Sequence, residues 1–287
     1  MRKLGIRNLK REHGGYLCTA LEKMTHLRSL IVSSIDPRNE ILDVQSISSP
    51  PLQLPSLRLR GQLEMVPDWI SKLHNLAKLR LSFSNLTDGS FKILQTLPNL
   101  KYLGLIGAYN GEKIHFEGGG YQKLKFLYLA GLSHLSTMLI DEGALPVLEG
   151  LAMGPCPQLK KVPSGFQHLK YLKELSFAGM TKEFTQRLSQ QDHEIVRHVP
   201  ILRYDGIYDP SDERSYAAWQ YQVRPAATVG VKIWSASAGR NSVELSVNVS
   251  GTWNFVLDIV PDDSMLHKMV CENKNNKISQ HGFIGVP

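Results

Sequence analysis

One spacing in this sequence could bind a catalytic metal: His193-Glu194-Ile195-Val196-Arg197-His198. Two histidines four positions apart on a helix, with a glutamate after the first, hold zinc and activate a water molecule in metalloproteases. Here the second histidine stands five positions on, so a helix that turns about 100° per residue separates the two imidazoles by roughly 140°. Two such rings cannot share one ion. We therefore expect ordinary solvated histidines and no metal site.

The cysteines are the second candidate for chemistry. Cys18, Cys156 and Cys271 are odd in number and far apart, and no C-x-x-C pair occurs. This usage disfavours a disulfide or zinc framework and fits a reducing compartment. Reactive cysteines need an exposed, electropositive setting, so we expect Cys156 to be a buried structural thiol.

The sequence offers neither a phosphate-binding loop nor a nucleophile elbow. Gly118-Gly119-Gly120 lacks the lysine and the serine or threonine of a phosphate-binding loop, and the sequence has no G-x-S-x-G elbow. We therefore expect a chain that is not an enzyme and that binds no cofactor.

The elements that would position any functional residue come from a repeat. The pattern apolar-x-x-Leu-x-apolar returns eight times, starting at Met1, Leu27, Leu54, Leu76, Leu100, Leu124, Leu148 and Leu172. Subtracting successive starts gives spacings of 26, 27, 22, 24, 24, 24 and 24 residues. That period is typical of a leucine-rich-repeat solenoid, an α/β fold in which each unit adds one short strand to a concave parallel sheet and a short helix or loop to the convex side.

Between the hexads we expect short helices and loops. Residues 90–97 suit a helix capped by Asp88, because apolar residues recur at every third position. Residues 110–120 are glycine-rich and are predicted to form a loop. Residues 35–55, rich in serine and proline, break the rhythm and predict a surface loop or a degenerate repeat edge.

The pattern changes towards the C-terminus. Residues 181–199 look helical, whereas 229–233, 243–249 and 253–259 alternate apolar and polar residues as half-buried strands do. We expect a solenoid with a closing helix over residues 1–205, a linker over 206–228, and a small β-rich extension of unknown identity, partly disordered, over 229–287.

Composition limits where the chain can act. The hydrophobic content is 42% and no run of 18 apolar residues occurs, so we expect no membrane span. The first residues lack the apolar stretch of a secretory signal, so we expect a cytoplasmic protein. The net charge of +7 permits an acidic partner, although such a charge can also serve only to keep a solenoid soluble.

Function is expected on the concave face, at the third, fifth, seventh and eighth positions of each motif. Adjacent rungs there carry basic and then aromatic side chains, which are the types that most often anchor interfaces. The predicted partner-binding residues are Arg58, Arg60, Lys78, Arg80, Phe83, Tyr102, Phe126 and Tyr128. The alternative is a solvated basic face with aromatic rings that pack on each other.

Three segments carry a family resemblance. They are Val66-Pro67-Asp68-Trp69-Ile70 with Leu73-His74-Asn75-Leu76, then Leu97-Pro98-Asn99-Leu100, and Cys156-Pro157-Gln158-Leu159-Lys160-Lys161-Val162-Pro163-Ser164-Gly165. With them, residues 1–205 resemble the C-terminal leucine-rich-repeat region of plant coiled-coil-type nucleotide-binding leucine-rich-repeat (NLR) disease-resistance proteins. The phosphate-binding motif of that family is absent and the chain begins inside the repeats. We therefore expect a truncated receptor or receptor fragment without the nucleotide switch.

The resemblance implies a recognition module of an innate-immune receptor. Its partner would be a pathogen effector, a guarded host protein or the receptor's own nucleotide-binding domain. The alternative is a stand-alone repeat adapter, such as a ubiquitin-ligase substrate-recognition subunit. A nucleic-acid binder would use the basic rungs, but no recognised module supports it, and we expect no nucleic-acid partner.

Overall fold

The computed structural model describes residues 2–207 and, beyond them, the backbone of seven short strands. The strands of the first part are β1 (Lys3–Leu9), β2 (Ser29–Ser34), β3 (Ser56–Arg60), β4 (Lys78–Ser82), β5 (Tyr102–Ile106), β6 (Lys113–Phe116), β7 (Phe126–Ala130), β8 (Thr137–Ile140), β9 (Gly150–Met153), β10 (Glu174–Met180) and β11 (Ile201–Ile207). The later strands are β12 (Gly230–Lys232), β13 (Ser242–Val243), β14 (Ser246–Val249), β15 (Val256–Asp258), β16 (Val270–Asn273), β17 (Gln280–His281) and β18 (Ile284–Gly285).

A parallel sheet dominates the fold. Its strands follow the order β11-β10-β9-β7-β5-β4-β3-β2-β1, and β15 and β12 continue it beyond β1. Each repeat therefore adds one strand next to the strand of the preceding repeat, as the constant spacing predicts. The predicted solenoid is confirmed.

The leucines of the hexads form the core. Leu79, Leu103 and Leu127 are in register on neighbouring strands and at most 2% exposed. Strand side chains alternate between faces, so the residues before and after each of these leucines on its own strand point to the opposite, outward face. Burial of one such leucine stabilises the fold by about 1.5–3 kcal/mol. The equivalent leucines of the other strands contribute in the same way.

Short helices cover the other side of the repeats. They are α1 (Gly14–Glu22), α2 (Asp88–Gln95) and 3-10 helices at Arg11–His13, Asp68–Ile70 and Ser164–His168. The predicted Asp88 cap is wrong. The cap of α2 is Thr87, which forms a reciprocal capping box with Ser90, while Asp88 occupies the first turn. A hydroxyl that accepts from the third amide of the helix satisfies a donor that would otherwise lack a partner.

The glycine-rich segment at 110–120 was predicted as a loop, and this is wrong. It contains β6, which pairs in parallel with β8 in a second, two-stranded sheet. Ile114 and Phe116 alternate with exposed or half-exposed residues and are at most 1% exposed. The glycines on either side of β6 concealed this short alternation.

Residues 35–55 form a surface segment with buried apolar anchors. Leu42, Val44 and Ile47 are at most 4% exposed. The indole Nε1 of Trp69 donates a buried hydrogen bond of 2.7 Å to the Val44 carbonyl oxygen. This segment is therefore fastened to the next repeat, and it is not a solvated excursion.

Two further helices, α3 (Lys182–Gln190) and α4 (His193–Val196), lie between β10 and β11 in the chain. The Asp192 carboxylate at the break between the helices accepts from the Val162 amide at 3.1 Å. The following strand, β11, was not predicted, and it pairs with β10 along its length. It passes the predicted solenoid boundary at residue 205 by two residues. The three-part division of the chain stays a prediction.

None of the helices in the described part of the chain is long and apolar enough to cross a lipid bilayer.

Candidate protein-binding face

The register of the sheet arranges most of the predicted partner-binding residues in rows across the strands. Lys78, Tyr102 and Phe126 form one row, because they are paired on β4, β5 and β7. Arg58 and Arg80 are paired on β3 and β4, and Tyr128 lies two strands further in the same row, beyond Gly104. Strands about 4.8 Å apart bring these side chains into lateral contact.

Arg60 and Phe83 lie outside these two rows. Arg60 ends β3 in a third row, and Phe83 follows the last residue of β4 at the rim of the sheet. The predicted basic-to-aromatic ladder is therefore a patch two to three rows deep, and it reaches the edge where the strands end.

A glycine in the middle of the patch joins its basic and aromatic parts. A Cβ at Gly104 would lie 3.1 Å from the Tyr102 ring and 3.4 Å from Arg80 Nε. In the space above this glycine, Arg80 Nη2 donates a hydrogen bond of 2.7 Å to the Tyr102 hydroxyl, and the Arg80 guanidinium carbon lies 5.6 Å from the ring centre. The two residues therefore form one unit, in which the hydrogen bond and the attraction of the cation to the ring hold the guanidinium in place.

A second glycine supports the aromatic end. A Cβ at Gly150 would meet Phe126 Cδ1 at 2.8 Å, so the Phe126 ring lies over the bare backbone of β9. The ring is still 50% exposed. An aromatic side chain that is close to a neighbouring backbone and open to solvent is a suitable anchor for a partner, because little conformational entropy remains to be lost on binding.

The patch is electropositive. Burial lowers the pKa of the Arg58 guanidinium, and the adjacent Arg80 charge lowers it further. The outward positions of β3, β4, β5 and β7 carry no aspartate or glutamate. Burial also raises the pKa of the Tyr128 hydroxyl to about 12, so this group stays a neutral hydrogen-bond donor. Two adjacent cations and a phenol suit an incoming carboxylate.

Phe83 has an unusual backbone conformation. Its φ is +57°, and the equivalent eighth positions of other repeats with a similar φ are glycine or asparagine, namely Asn8, Gly107, Gly131 and Gly179. Its amide donates to the Ile106 carbonyl at 2.9 Å, as Gly107 does to Ala130 at 2.7 Å, so the neighbouring strand imposes the conformation. A bulky residue there costs about 1–3 kcal/mol.

Two arginines lie over the Phe83 ring. The guanidinium carbon of Arg38 is 5.4 Å from the ring centre and that of Arg60 is 5.5 Å from it. Arg38 belongs to the segment that breaks the repeat rhythm, and sequence reasoning missed it. Its place beside Phe83 depends on the path of that segment across two repeats, and no local pattern signals such a path.

The last repeats differ from this patch. Ala152, Ser176 and Ala178 present small side chains, and Glu174 is paired with Arg203 at 3.3 Å on β11. At the foot of the strands, Glu149 accepts from Lys125 at 2.6 Å and from Lys173 at 2.8 Å. These two bonds lower the pKa of Glu149 to about 2.

The two histidines at 193 and 198 do not lie on one helix. His193 begins α4, whereas His198 lies beyond the end of that helix with its Nε2 3.2 Å from the Leu169 carbonyl oxygen. In the described residues no group of three His, Cys, Asp or Glu side chains could hold a metal ion. Cys156 is fully buried, and burial raises the pKa of its thiol to about 12. The predicted buried thiol is confirmed.

Comparisons with known proteins agree with this architecture. A family model for leucine-rich repeat regions matches residues 1–200. The disease resistance protein RPM1 of Arabidopsis thaliana is 33% identical over 207 residues, which are 70% of this chain and 22% of that protein. The disease resistance RPP8-like protein 3 of the same plant is 28% identical over 163 residues, which are 56% of this chain and 18% of that protein. The chain thus spans about a fifth of the length of these relatives.

Among solved structures, an internalin from Listeria monocytogenes aligns with 67% of this chain and 66% of its own, at 17% identity and a TM-score of 0.36.

Proposed function

We propose, from the premise that this chain belongs to the leucine-rich-repeat region family, that it is the recognition module of a plant disease-resistance receptor. The relatives that share its repeats are named as disease resistance proteins. It acts as a non-enzymatic, cytoplasmic interaction surface. Its partner is a protein: a pathogen effector, a guarded host protein or the nucleotide-binding domain of a receptor.

One observation supports this proposal most directly. Arg58, Arg80, Tyr102, Tyr128 and Phe126 form a contiguous outward patch on four strands that includes no carboxylate. Arginine and aromatic residues are enriched among the side chains that dominate binding energy at protein interfaces. A pair of half-buried guanidiniums without a carboxylate beside them favours a partner that supplies one.

A stand-alone adapter for a ubiquitin ligase is the alternative. Such an adapter would use the same solenoid, but no finding favours it over the receptor module. The named relatives point to disease resistance.

Charge reversal on the patch tests the proposal. The chain serves as bait in extracts of infected and uninfected plants, and captured proteins are quantified by mass spectrometry. We expect Arg58→Glu with Arg80→Glu to reduce capture of the specific partner roughly tenfold or more, because like charges would meet at a desolvated contact. Tyr128→Ala should remove an anchor worth about 2 kcal/mol.

The matched control is Lys72→Glu with Lys92→Glu. Both lysines are exposed and lie outside the sheet, so the net charge changes equally while the patch stays intact. Capture by this control should equal that of the wild type. If all three patch changes leave capture unaltered, the patch is only a solvated face.

A further inference from the structure

We propose that a pocket at the rim beside Phe83 binds a carboxylate side chain of an acidic protein segment. This inference rests on the recognition function proposed above and names the chemistry of one contact. The pocket has a volume of about 240 Å³, and Arg38, Gln62, Phe83, Asn85, Asn110 and Ser133 are among the residues that line it. It lies where β4, β5 and β7 end, next to the patch on the sheet.

The size of the pocket indicates the kind of ligand. Small-molecule and cofactor sites are commonly about 300–1,000 Å³ and mostly apolar. A pocket of 240 Å³ with a mainly polar lining is below that range and has the wrong character for a cofactor. It suits one side chain and its adjoining peptide.

The lining determines the charge of the ligand. Arg38 is the one cation among the residues that line the pocket, and no aspartate or glutamate is among them. The side-chain amides of Asn85 and Asn110 donate no hydrogen bond within the described part of the chain, and both residues are exposed and line the pocket. A guanidinium and amide groups are suitable hydrogen-bond donors for a carboxylate.

Phe83 connects this pocket to the sheet. Arg38, which lines the pocket, and Arg60 of β3 both lie over its ring, so the rim and the patch share one cation–aromatic cluster. The backbone of Phe83 adopts a left-handed conformation, and the residues at the equivalent position of other repeats with this conformation are glycine or asparagine. Phenylalanine at such a position lowers the stability of the fold, so its presence points to a role other than stability.

Nuclear magnetic resonance can test the pocket without the native partner. The full chain is titrated with N-acetyl-aspartyl methylamide, and the Arg38 guanidinium and Phe83 ring signals are followed. N-acetyl-asparaginyl methylamide is the neutral control, and the phosphoseryl equivalent distinguishes a phosphate ligand. We expect saturable shifts with the aspartyl probe at millimolar concentrations or below and none with the asparaginyl probe.

Two variants test the assignment. Arg38→Gln should weaken the aspartyl response about tenfold or more, because it removes a charge-assisted hydrogen bond. Phe83→Gly should weaken it similarly while the chain stays folded, since glycine occupies the equivalent position in the neighbouring repeats. A thermal midpoint at or above that of the wild type will verify the fold of this variant.

Several results would overturn the inference. They are an equal response to the asparaginyl probe, an undiminished response in Arg38→Gln, or a response to the phosphoseryl probe alone. Shifts confined to Arg58 and Arg80 would reject the rim pocket and leave the proposed recognition patch standing. Undiminished capture by the patch variants together with the expected rim response would reject the patch alone.

Discussion

Arg80 on β4 donates a hydrogen bond of 2.7 Å to the hydroxyl of Tyr102 on β5, across the bare backbone of Gly104. This contact links a basic rung to an aromatic rung of the parallel sheet. It also orients the guanidinium along the sheet surface. The predicted succession of basic and aromatic side chains is therefore a connected surface, and its parts should respond together to substitution.

The Arg80–Tyr102 contact predicts a measurable coupling. Tyr102→Phe removes the acceptor, and Arg80→Gln removes the cation. In a double-mutant cycle of unfolding free energies we expect a coupling of about 0.5–1.5 kcal/mol, as for a typical hydrogen bond. Denaturant unfolding of the four proteins measures it. Additive effects would show that the pair contributes nothing in solution.

The left-handed backbone at Phe83 predicts an unusual order of variants. Phe83→Gly should be more stable than Phe83→Ala by about 1–2 kcal/mol, because only glycine adopts this conformation without a steric cost. Lys78 is the control, since it lies within β4. There the alanine variant should be the more stable one, by about 0.5–1 kcal/mol. The same order at both positions would contradict the conformation of Phe83.

Glu149 predicts a specific pH dependence. Its bonds to Lys125 and Lys173 lower its pKa from 4.5 to about 2. A carboxyl group whose folded pKa lies below its unfolded value stabilises the fold above the unfolded value, and this contribution disappears as the pH falls through the folded pKa. The stability advantage of the wild type over Glu149→Gln should thus be constant at neutral pH and shrink between 4.5 and 2.

Unfolding experiments at several pH values, with a carboxyl titration by nuclear magnetic resonance, measure this effect. Glu142→Gln is the control, because Glu142 forms no ion pair in the described part of the chain. Added salt should reduce the Glu149 effect, since the three side chains are partly exposed. A pH dependence of the same size in the control would contradict the ion-pair origin.

The hydrogen bond from Trp69 to Val44 predicts that the local stability of residues 35–55 depends on the Trp69 indole. Trp69→Phe leaves the Val44 carbonyl oxygen without its buried donor, which should cost about 1–3 kcal/mol. Amide hydrogen exchange should then accelerate at residues 42–47, while β8, remote from the substitution, keeps its protection. Equal acceleration at both places would mean that the variant loosens the whole fold and not this segment.

Much of the fold could be predicted from the sequence. The constant spacing of the hexads places Leu79, Leu103 and Leu127 in one buried column, because each repeat forms the same strand with its leucine pointing into the core. The outward positions of the predicted patch follow from strand alternation alone. The neutral, buried state of Cys156 follows from its place in the repeat. Strands β6, β8 and β11 were missed, because β6 and β8 have only four residues each and β11 stands at the start of aromatic, turn-rich sequence.

The sequence by itself determined which residues face inward and which face outward, since that depends on a period of two within each strand and on the repeat length between strands. Only the tertiary structure decided which outward residues touch. The Arg80–Tyr102 contact depends on the space above Gly104, and the stack of Phe83 with Arg38 depends on a left-handed turn and on the path of a segment two repeats away. Such contacts join residues of different repeats, and their geometry is set by lateral packing, which no local pattern encodes.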